Sequence, residues 1–205
     1  MTVDKGEVCQ QGYYCPIGSY PQQFPCPAGS HGASRTGKSD VSECLPCPPG
    51  HYCEEGSPSA TKTPAGYWTP NTNVPSLAAA YKCPPKFHCP NEGMTNYKGF
   101  ECPAGYFCPA GTSDYTTTPC PEGTFSDRRD LHDASHCSPC PKGFYCAAGS
   151  TNSDVTECPQ NSYCPTGTKA ASIPVCPAGS YSPYLRSMSL EDCLICPPGK
   201  YCLAG

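Results

Sequence analysis

Large apolar side chains in this chain neither cluster nor form long runs. The best apolar stretch is only Leu77-Ala-Ala-Ala-Tyr81, far short of a bilayer span. Aromatic residues instead come back at one fixed place, two residues after a glycine and just before or near a cysteine, as in Gly12-Tyr-Tyr-Cys15, Gly105-Tyr-Phe-Cys108 and Gly143-Phe-Tyr-Cys146. With 27 prolines and 20 glycines, long helices are excluded. The pattern predicts strands of two to four residues flanking turns, and a single helical turn near Ser76 to Tyr81 or Ser187 to Asp192.

The recurring unit is Cys-Pro-x-Gly-x-aromatic, with His sometimes in the aromatic place. It begins at Cys9, Cys26, Cys47, Cys83, Cys102, Cys120, Cys140, Cys158, Cys176 and Cys196. Thr63-Pro-Ala-Gly-Tyr-Trp68 is an eleventh copy that lacks the cysteine, and the copies then follow at steps of 16 to 21 residues. Pro fixes φ after the cysteine, and Gly supplies the positive φ of a turn; Asn161 replaces it in one copy and Lys86 in another, marking the least regular turn. In short copies a second Cys closes C-x5-C. In long copies it waits for a loop, as at Cys44, Cys137 and Cys193. A second turn signal, C-x-x-G-S/T, recurs at Gly18, Gly56, Gly111, Gly149 and Gly167, with Gly205 in the same place.

Composition explains why the cysteines matter. Leu, Ile, Val and Phe supply only 22 side chains against 20 cysteines, so a single hydrophobic core is ruled out and covalent links must replace it. Closing a seven-residue or eighteen-residue loop is worth about 2.4 or 3.2 kcal/mol in the loop-entropy description. Thr63 and Ala80 occupy the two cysteine positions of a long copy, while Cys83 and Cys89 after them are intact. Joint loss is what a bonded pair predicts, because losing one partner strands a thiol. It favours pairing of each cysteine with its next neighbour: Cys9–Cys15, Cys26–Cys44, Cys47–Cys53, Cys83–Cys89, Cys102–Cys108, Cys120–Cys137, Cys140–Cys146, Cys158–Cys164, Cys176–Cys193 and Cys196–Cys202. The interlaced rival, Cys26 with Cys47 and Cys44 with Cys53, suits modules of this size but leaves the survivors of the degenerate copy with broken partners.

The expected fold is small and disulfide-rich: an elongated tandem array of short β-hairpin and turn modules with little helix and no single core, each repeat touching only its neighbours. Its segments are 1–25 (short), 26–62 (long plus short), 63–101 (degenerate long plus short), 102–119 (short), 120–157 (long plus short), 158–175 (short) and 176–205 (long plus short, truncated). Disulfides at this density imply an extracellular or secretory setting. The N-terminus, Met1-Thr-Val-Asp-Lys-Gly-Glu7, has no apolar leader core, and the chain is read as a segment of a longer secreted or surface protein.

Candidate chemistry is sparse. No nucleophile and base constellation stands out, and no enzyme activity is expected. Of the histidines, His31, His51 and His88 fall inside the turn motif, whereas His132 and His136 lie four apart in a long loop and are candidate metal ligands. Cys44-x-x-Cys47, Cys137-x-x-Cys140 and Cys193-x-x-Cys196 have zinc-ligand spacing, without a second such pair beside them. Asp127, Asp130 and Asp133 are candidate calcium ligands or a solvated loop. No cofactor is expected. A net charge of −4 without a basic cluster argues against nucleic acid or an anionic membrane, and no membrane insertion is expected of this segment. There is no N-x-S/T sequon, but segments such as Thr116-Thr-Thr-Pro119 suit O-glycosylation.

These residues resemble the ephrin-receptor-like cysteine-rich repeats, relatives of tumour-necrosis-factor-receptor modules, most closely over Cys176 to Cys202 and Cys120 to Cys146. Dense arrays of the kind look like those of large protist and algal surface proteins, including flagellar-hair (mastigoneme) components and apicomplexan modular proteins. The resemblance implies a structural role, as a rigid stapled rod or a filament component whose partners are other copies or neighbouring repeats. The alternative is a receptor-like or adhesive ectodomain that binds through the long loops Gly29 to Glu43, Gly123 to His136 and Gly179 to Asp192.

Overall fold

The computed structural model describes residues 7–205; the leaderless reading of Met1 to Gly6 lies outside them. Two compact units divide the chain. One comprises Met1–Pro84, His88–Phe100 and Gly111–Ser113, and the other Pro85–Phe87, Glu101–Ala110 and Asp114–Gly205. Every hydrogen bond described below joins residues of the same unit.

Regular structure is confined to two-residue strands and 3-10 turns, without an α-helix among the described residues. Residues five and six of a copy pair antiparallel with the two residues that precede the next copy. Tyr13 and Tyr14 face Pro25 and Phe24, and Tyr67 and Trp68 face Lys82 and Tyr81. Seven such ladders form, and Phe87–Glu101, Tyr106–Pro119 and Ser162–Val175 are single-bridge versions of the same contact. Proline ends the strand at Pro25, Pro46 and Pro139, because its ring removes the amide that a further rung would need. The array of small disulfide-rich hairpin modules expected from the repeat is what forms.

The 3-10 turns are more numerous than the single one expected. Leu77–Ala79 and Leu190–Asp192 fall where a helical turn is predicted, and Val41–Glu43, Tyr115–Thr117, Ala134–His136 and Asn152–Asp154 add to them. In long copies the turn ends at the residue before the closing cysteine. Side chains at its start satisfy the first amides: Asp40 accepts from the Ser42 amide at 2.8 Å and Asp133 from that of Ser135 at 2.9 Å.

A main-chain ladder joins each copy to the next. The amide of the first residue of a copy donates to the carbonyl of the fourth residue of the copy before, from Cys26 to Gly12 (2.8 Å) through to Cys196 to Gly179 (2.9 Å). From Gly29 onward the fourth residue in turn donates to the carbonyl of the seventh residue of the next copy, as Gly66 does to Cys89 (2.8 Å). Lys86 takes φ +79° and makes both bonds, to Cys108 and from Cys102 at 2.8 Å, so the turn expected to be least regular is in register.

Candidate functional site

The only chemistry that every copy shares is this junction, and its second half is a two-residue tongue. Ten or eleven residues into most copies the chain turns left-handed and then buries the following residue. Gly37, Gly56, Asn73, Gly93, Gly111, Asp130, Gly149, Gly167 and Arg186 all have positive φ. Each donates its amide to the first residue of the preceding copy, and the next residue accepts from that copy's seventh: Asp130 to Cys102 at 3.0 Å, then Cys108 to Leu131 at 2.8 Å. The buried tongue residues are Lys38, Val74, Met94, Thr112, Leu131, Ser150, Thr168 and Ser187. Among the described residues, Val74, Met94 and Leu131 are also the only buried apolar residues besides cysteines. The interior of most modules is therefore cystine plus one inserted side chain.

Contacts also reach the second neighbour, which corrects the expectation that a repeat touches only the next one. A Cβ placed at Gly29 or Gly66 would lie 2.6 Å from the carbonyl oxygen of Asn73 or Gly111, two copies on. Glycine is used there because its missing side chain admits another copy's backbone, in addition to the turn it makes. Where Lys86 stands instead, its ammonium lies 3.5 Å from Asp130, the tongue residue two copies on.

Ten disulfides join Cys9–Cys15, Cys26–Cys44, Cys47–Cys53, Cys83–Cys89, Cys102–Cys108, Cys120–Cys137, Cys140–Cys146, Cys158–Cys164, Cys176–Cys193 and Cys196–Cys202, with Cα atoms 5.8–6.0 Å apart. No cysteine is free. The C-x-x-C pairs with zinc spacing are thus divided between separate bridges, Cys44 with Cys26 and Cys47 with Cys53. In the copy without a bridge, Thr63 is fully buried and its hydroxyl donates to the Gly50 carbonyl at 3.1 Å. Trp68 packs on Tyr81 at 5.3 Å and edge-on to Tyr97 at 4.7 Å, so an aromatic cluster stands in this bridgeless copy.

Seventh positions without cysteine were not recognised as part of the motif. Thr69, Ser126 and Ser182 are buried there, and Ser126 accepts from the Arg128 amide at 3.1 Å in a local turn. The signal is present in the sequence: in long copies a small residue falls where short copies carry their second Cys.

The ionisable candidates take separate structural parts. Asp127 accepts from the Asn152 amide at 2.6 Å, Asp130 faces Lys86, and Asp133 caps a turn. The calcium reading of these three is corrected accordingly, since each carboxylate is drawn to a different backbone or charge. His132 and His136 do meet, ring centres 4.5 Å apart. No group of three or more His, Cys, Asp or Glu suited to a metal forms among the described residues. His31 accepts from the Ala33 amide at 3.0 Å, and burial, then Lys38 and His51, lower its pKa. Lys38 itself is buried, its ammonium donating to the carbonyls of Gly32 and Arg35. Hydrogen bonds from Ser42, from Ser39, from Ser135 and from Met188 hold Asp40, Glu43, Asp133 and Asp192 below the usual carboxylate range.

The long loops differ in surface. In the loop closed by Cys193, Tyr184, Leu185, Met188 and Leu190 are all exposed, and the first three of them, with Leu194 just beyond the loop, line a hollow of about 370 Å³. In the loop closed by Cys137 the apolar residue, Leu131, is turned inward and packs with Phe107.

No protein-family model matches the chain. Over 113 residues, half of the chain, it is 32% identical to cysteine repeat modular protein A of Toxoplasma gondii. The chain is a cysteine-rich repeat array. The match spans 3% of that relative's length, so a much longer protein carries repeats of this kind. No helix among the described residues of the array is long and apolar enough to cross a membrane.

Proposed function

We propose that the array is an extracellular structural segment, a stiff disulfide-stapled spacer or filament component of a secreted or surface protein. The observation that carries this reading is the junction itself: main-chain bonds at every step from copy to copy, independent of side-chain identity, with contacts to second neighbours. Such a contact set resists bending and tolerates drift on the surface. Ten bridges with no thiol left over suit an oxidising compartment. The modular T. gondii relative supports a role as one repeated part of a large protein, and the resemblance of the motif to ephrin-receptor-like repeats belongs to the same reading. No catalytic role is assigned. The partners are other copies or neighbouring repeats, with O-glycans on the Ser, Thr and Pro-rich segments.

One observation favours the receptor-like alternative: the exposed apolar loop around Tyr184 and Leu185. Small-angle scattering of the oxidised chain tests the spacer. A compact chain of this length has a radius of gyration of about 17 Å. A value well above that, with resistance to proteolysis lost on reduction, is the expected result, and a value near it overturns the reading.

A further inference from the structure

The bridge of a long copy takes its loop out of the path along which the chain transmits a pull. Cys26–Cys44, Cys120–Cys137 and Cys176–Cys193 each close the base of such a loop, so tension crosses the sulfur–sulfur bond and passes by the 18, 17 and 17 residues behind it. In the copy that begins at Thr63 the same tension must run through the loop itself. Cys53 is bonded to Cys47 and Cys83 to Cys89, so the main chain from Cys53 to Cys83, 83 minus 53 or 30 residues, has no bridge across it. Between the other bridges of the described residues the corresponding stretches run from 3 residues, as from Cys44 to Cys47, to 13, from Cys89 to Cys102. The whole stretch, with Cys47, Cys89, Met94 and Tyr97 around it, lies inside one compact unit.

Only non-covalent contacts hold this stretch shut. Tyr67 and Trp68 pair with Lys82 and Tyr81 just inside the base of the loop. A hairpin pulled apart at its open end loads its rungs one after another, and this one has two residues per strand. Trp68 backs it, 5.3 Å from Tyr81 and edge-on to Tyr97 at 4.7 Å, and the Asn71 side-chain amide donates to the Tyr81 hydroxyl at 3.3 Å. The amide of Thr69 bonds Met94, and those of Asn73 and Thr63 bond Cys47 and Gly50, all at 2.9 Å. Unloaded, the stretch is held in the same ladder as its bridged counterparts, yet it can lengthen without breaking a covalent bond.

We propose that the bridgeless copy is the extensible element of the array: under tension it opens before any bridged copy and lengthens the chain in one reversible step. This rests on the reading of the array as a structural segment. At full extension the 30 residues span about 100 Å, against about 45 Å for the 13 of the next longest stretch. On release the strands, the aromatic cluster and the ladder re-form, because the bridges on either side keep the neighbouring copies folded. An array stapled at every other copy thereby has one place that yields.

Optical-tweezer stretching of the oxidised 205-residue chain, held through peptide handles at its two ends, tests it. The expected first event is a step of about 100 Å, less the folded separation of its ends, which recurs on each cycle of relaxing and pulling. Thr63→Cys with Ala80→Cys restores the bridge: Tyr67 pairs with Lys82 in the register of Ser180 with Ile195, where the Cα atoms of Cys176 and Cys193 stand 5.8 Å apart. The long step is lost in this variant, and absence of free thiols verifies that the bridge has closed. Trp68→Ala keeps the length of the step but raises its opening rate at a given force roughly tenfold or more. The converse change, Cys120→Thr with Cys137→Ala, adds a second long step, since Cys108 and Cys140 then bound 140 minus 108, or 32, unbridged residues. A wild-type trace with no step longer than about 45 Å, a long step that comes only after shorter ones, or one that persists when the bridge is restored overturns the proposal. An elongated chain without the long step overturns the extensible element alone and leaves the spacer reading standing; a chain that scatters as compact overturns the spacer reading, and the proposal with it.

Discussion

At the scale of single residues, two glycines with the same backbone separate the two reasons for using glycine. Gly66 and Gly179 have φ +86° and +85°, but the Gly111 carbonyl oxygen lies 2.6 Å from a Cβ at Gly66 and nothing lies within 4 Å at Gly179. Alanine at Gly179 meets only the left-handed penalty, about 1–2 kcal/mol. Alanine at Gly66 must also displace a backbone from two copies away. Hydrogen exchange reads the difference at the amides bound to these glycines, those of Cys83 and Cys196: in the monomeric chain, Gly66→Ala is expected to lower protection more at Cys83 than Gly179→Ala does at Cys196. Leu131 gives a second test. It is 2% exposed, packed with Cys120, Cys137 and Phe107, and its carbonyl takes the Cys108 amide. Leu131→Ala is expected to cost about 2–4 kcal/mol, seen as faster exchange at Cys108, with copies beyond the second neighbour unaffected.

Among the short elements, most of the 3-10 turns lean on carboxylates, Leu77–Ala79 being without one, and the ladder does not. Asp40, Asp133 and Asp192 accept amide hydrogen bonds and have lowered pKa values. A lowered folded-state pKa means that the group supports the fold above its unfolded pKa, near 4, and that the support is lost as pH falls through the folded value. Acidification below about pH 4 should therefore loosen the turns. The amides of Ser42, Ser135 and Ser189 lose protection on acidification, while those of Cys47, Cys140 and Cys196, bound to carbonyls, keep theirs. The elements also show what the chain made legible. The hairpins were readable because Pro, Gly and aromatic recur at fixed offsets. The tongue was legible only in part: the second turn signal marks it at Gly56, Gly111, Gly149 and Gly167, but its left-handed residue is Asn73, Asp130 or Arg186 in other copies, and its buried residue ranges from Lys38 to Leu131. What repeats there is a backbone conformation with two main-chain bonds, which side-chain identity does not encode. Thr69, Ser126 and Ser182 escaped for a related reason, since position seven requires a small buried group and cysteine is only its commonest occupant.

For the whole molecule, the consequence is that main-chain contacts carry the continuity and the bridges act locally. The degenerate copy shows the division. Thr63 and Ala80 carry no disulfide, yet the amide of Thr63 still bonds Gly50 at 2.9 Å and its carbonyl still takes Gly93 at 2.8 Å. Installing the same residues in an intact long copy, as the double change Cys120→Thr with Cys137→Ala, should leave the ladder formed. Only the loop that the bridge closes is freed, at a cost of about 3 kcal/mol in loop entropy, because copy 63 has Trp68, Tyr81 and Tyr97 around it and copy 120 has no such cluster. Limited proteolysis should then cut within residues 127–136 and nowhere new, and exchange at Cys140, whose amide bonds Gly123 at 2.8 Å, should stay slow. Cutting throughout the neighbouring copies would mean that the disulfides, and not the backbone ladder, hold successive copies in register.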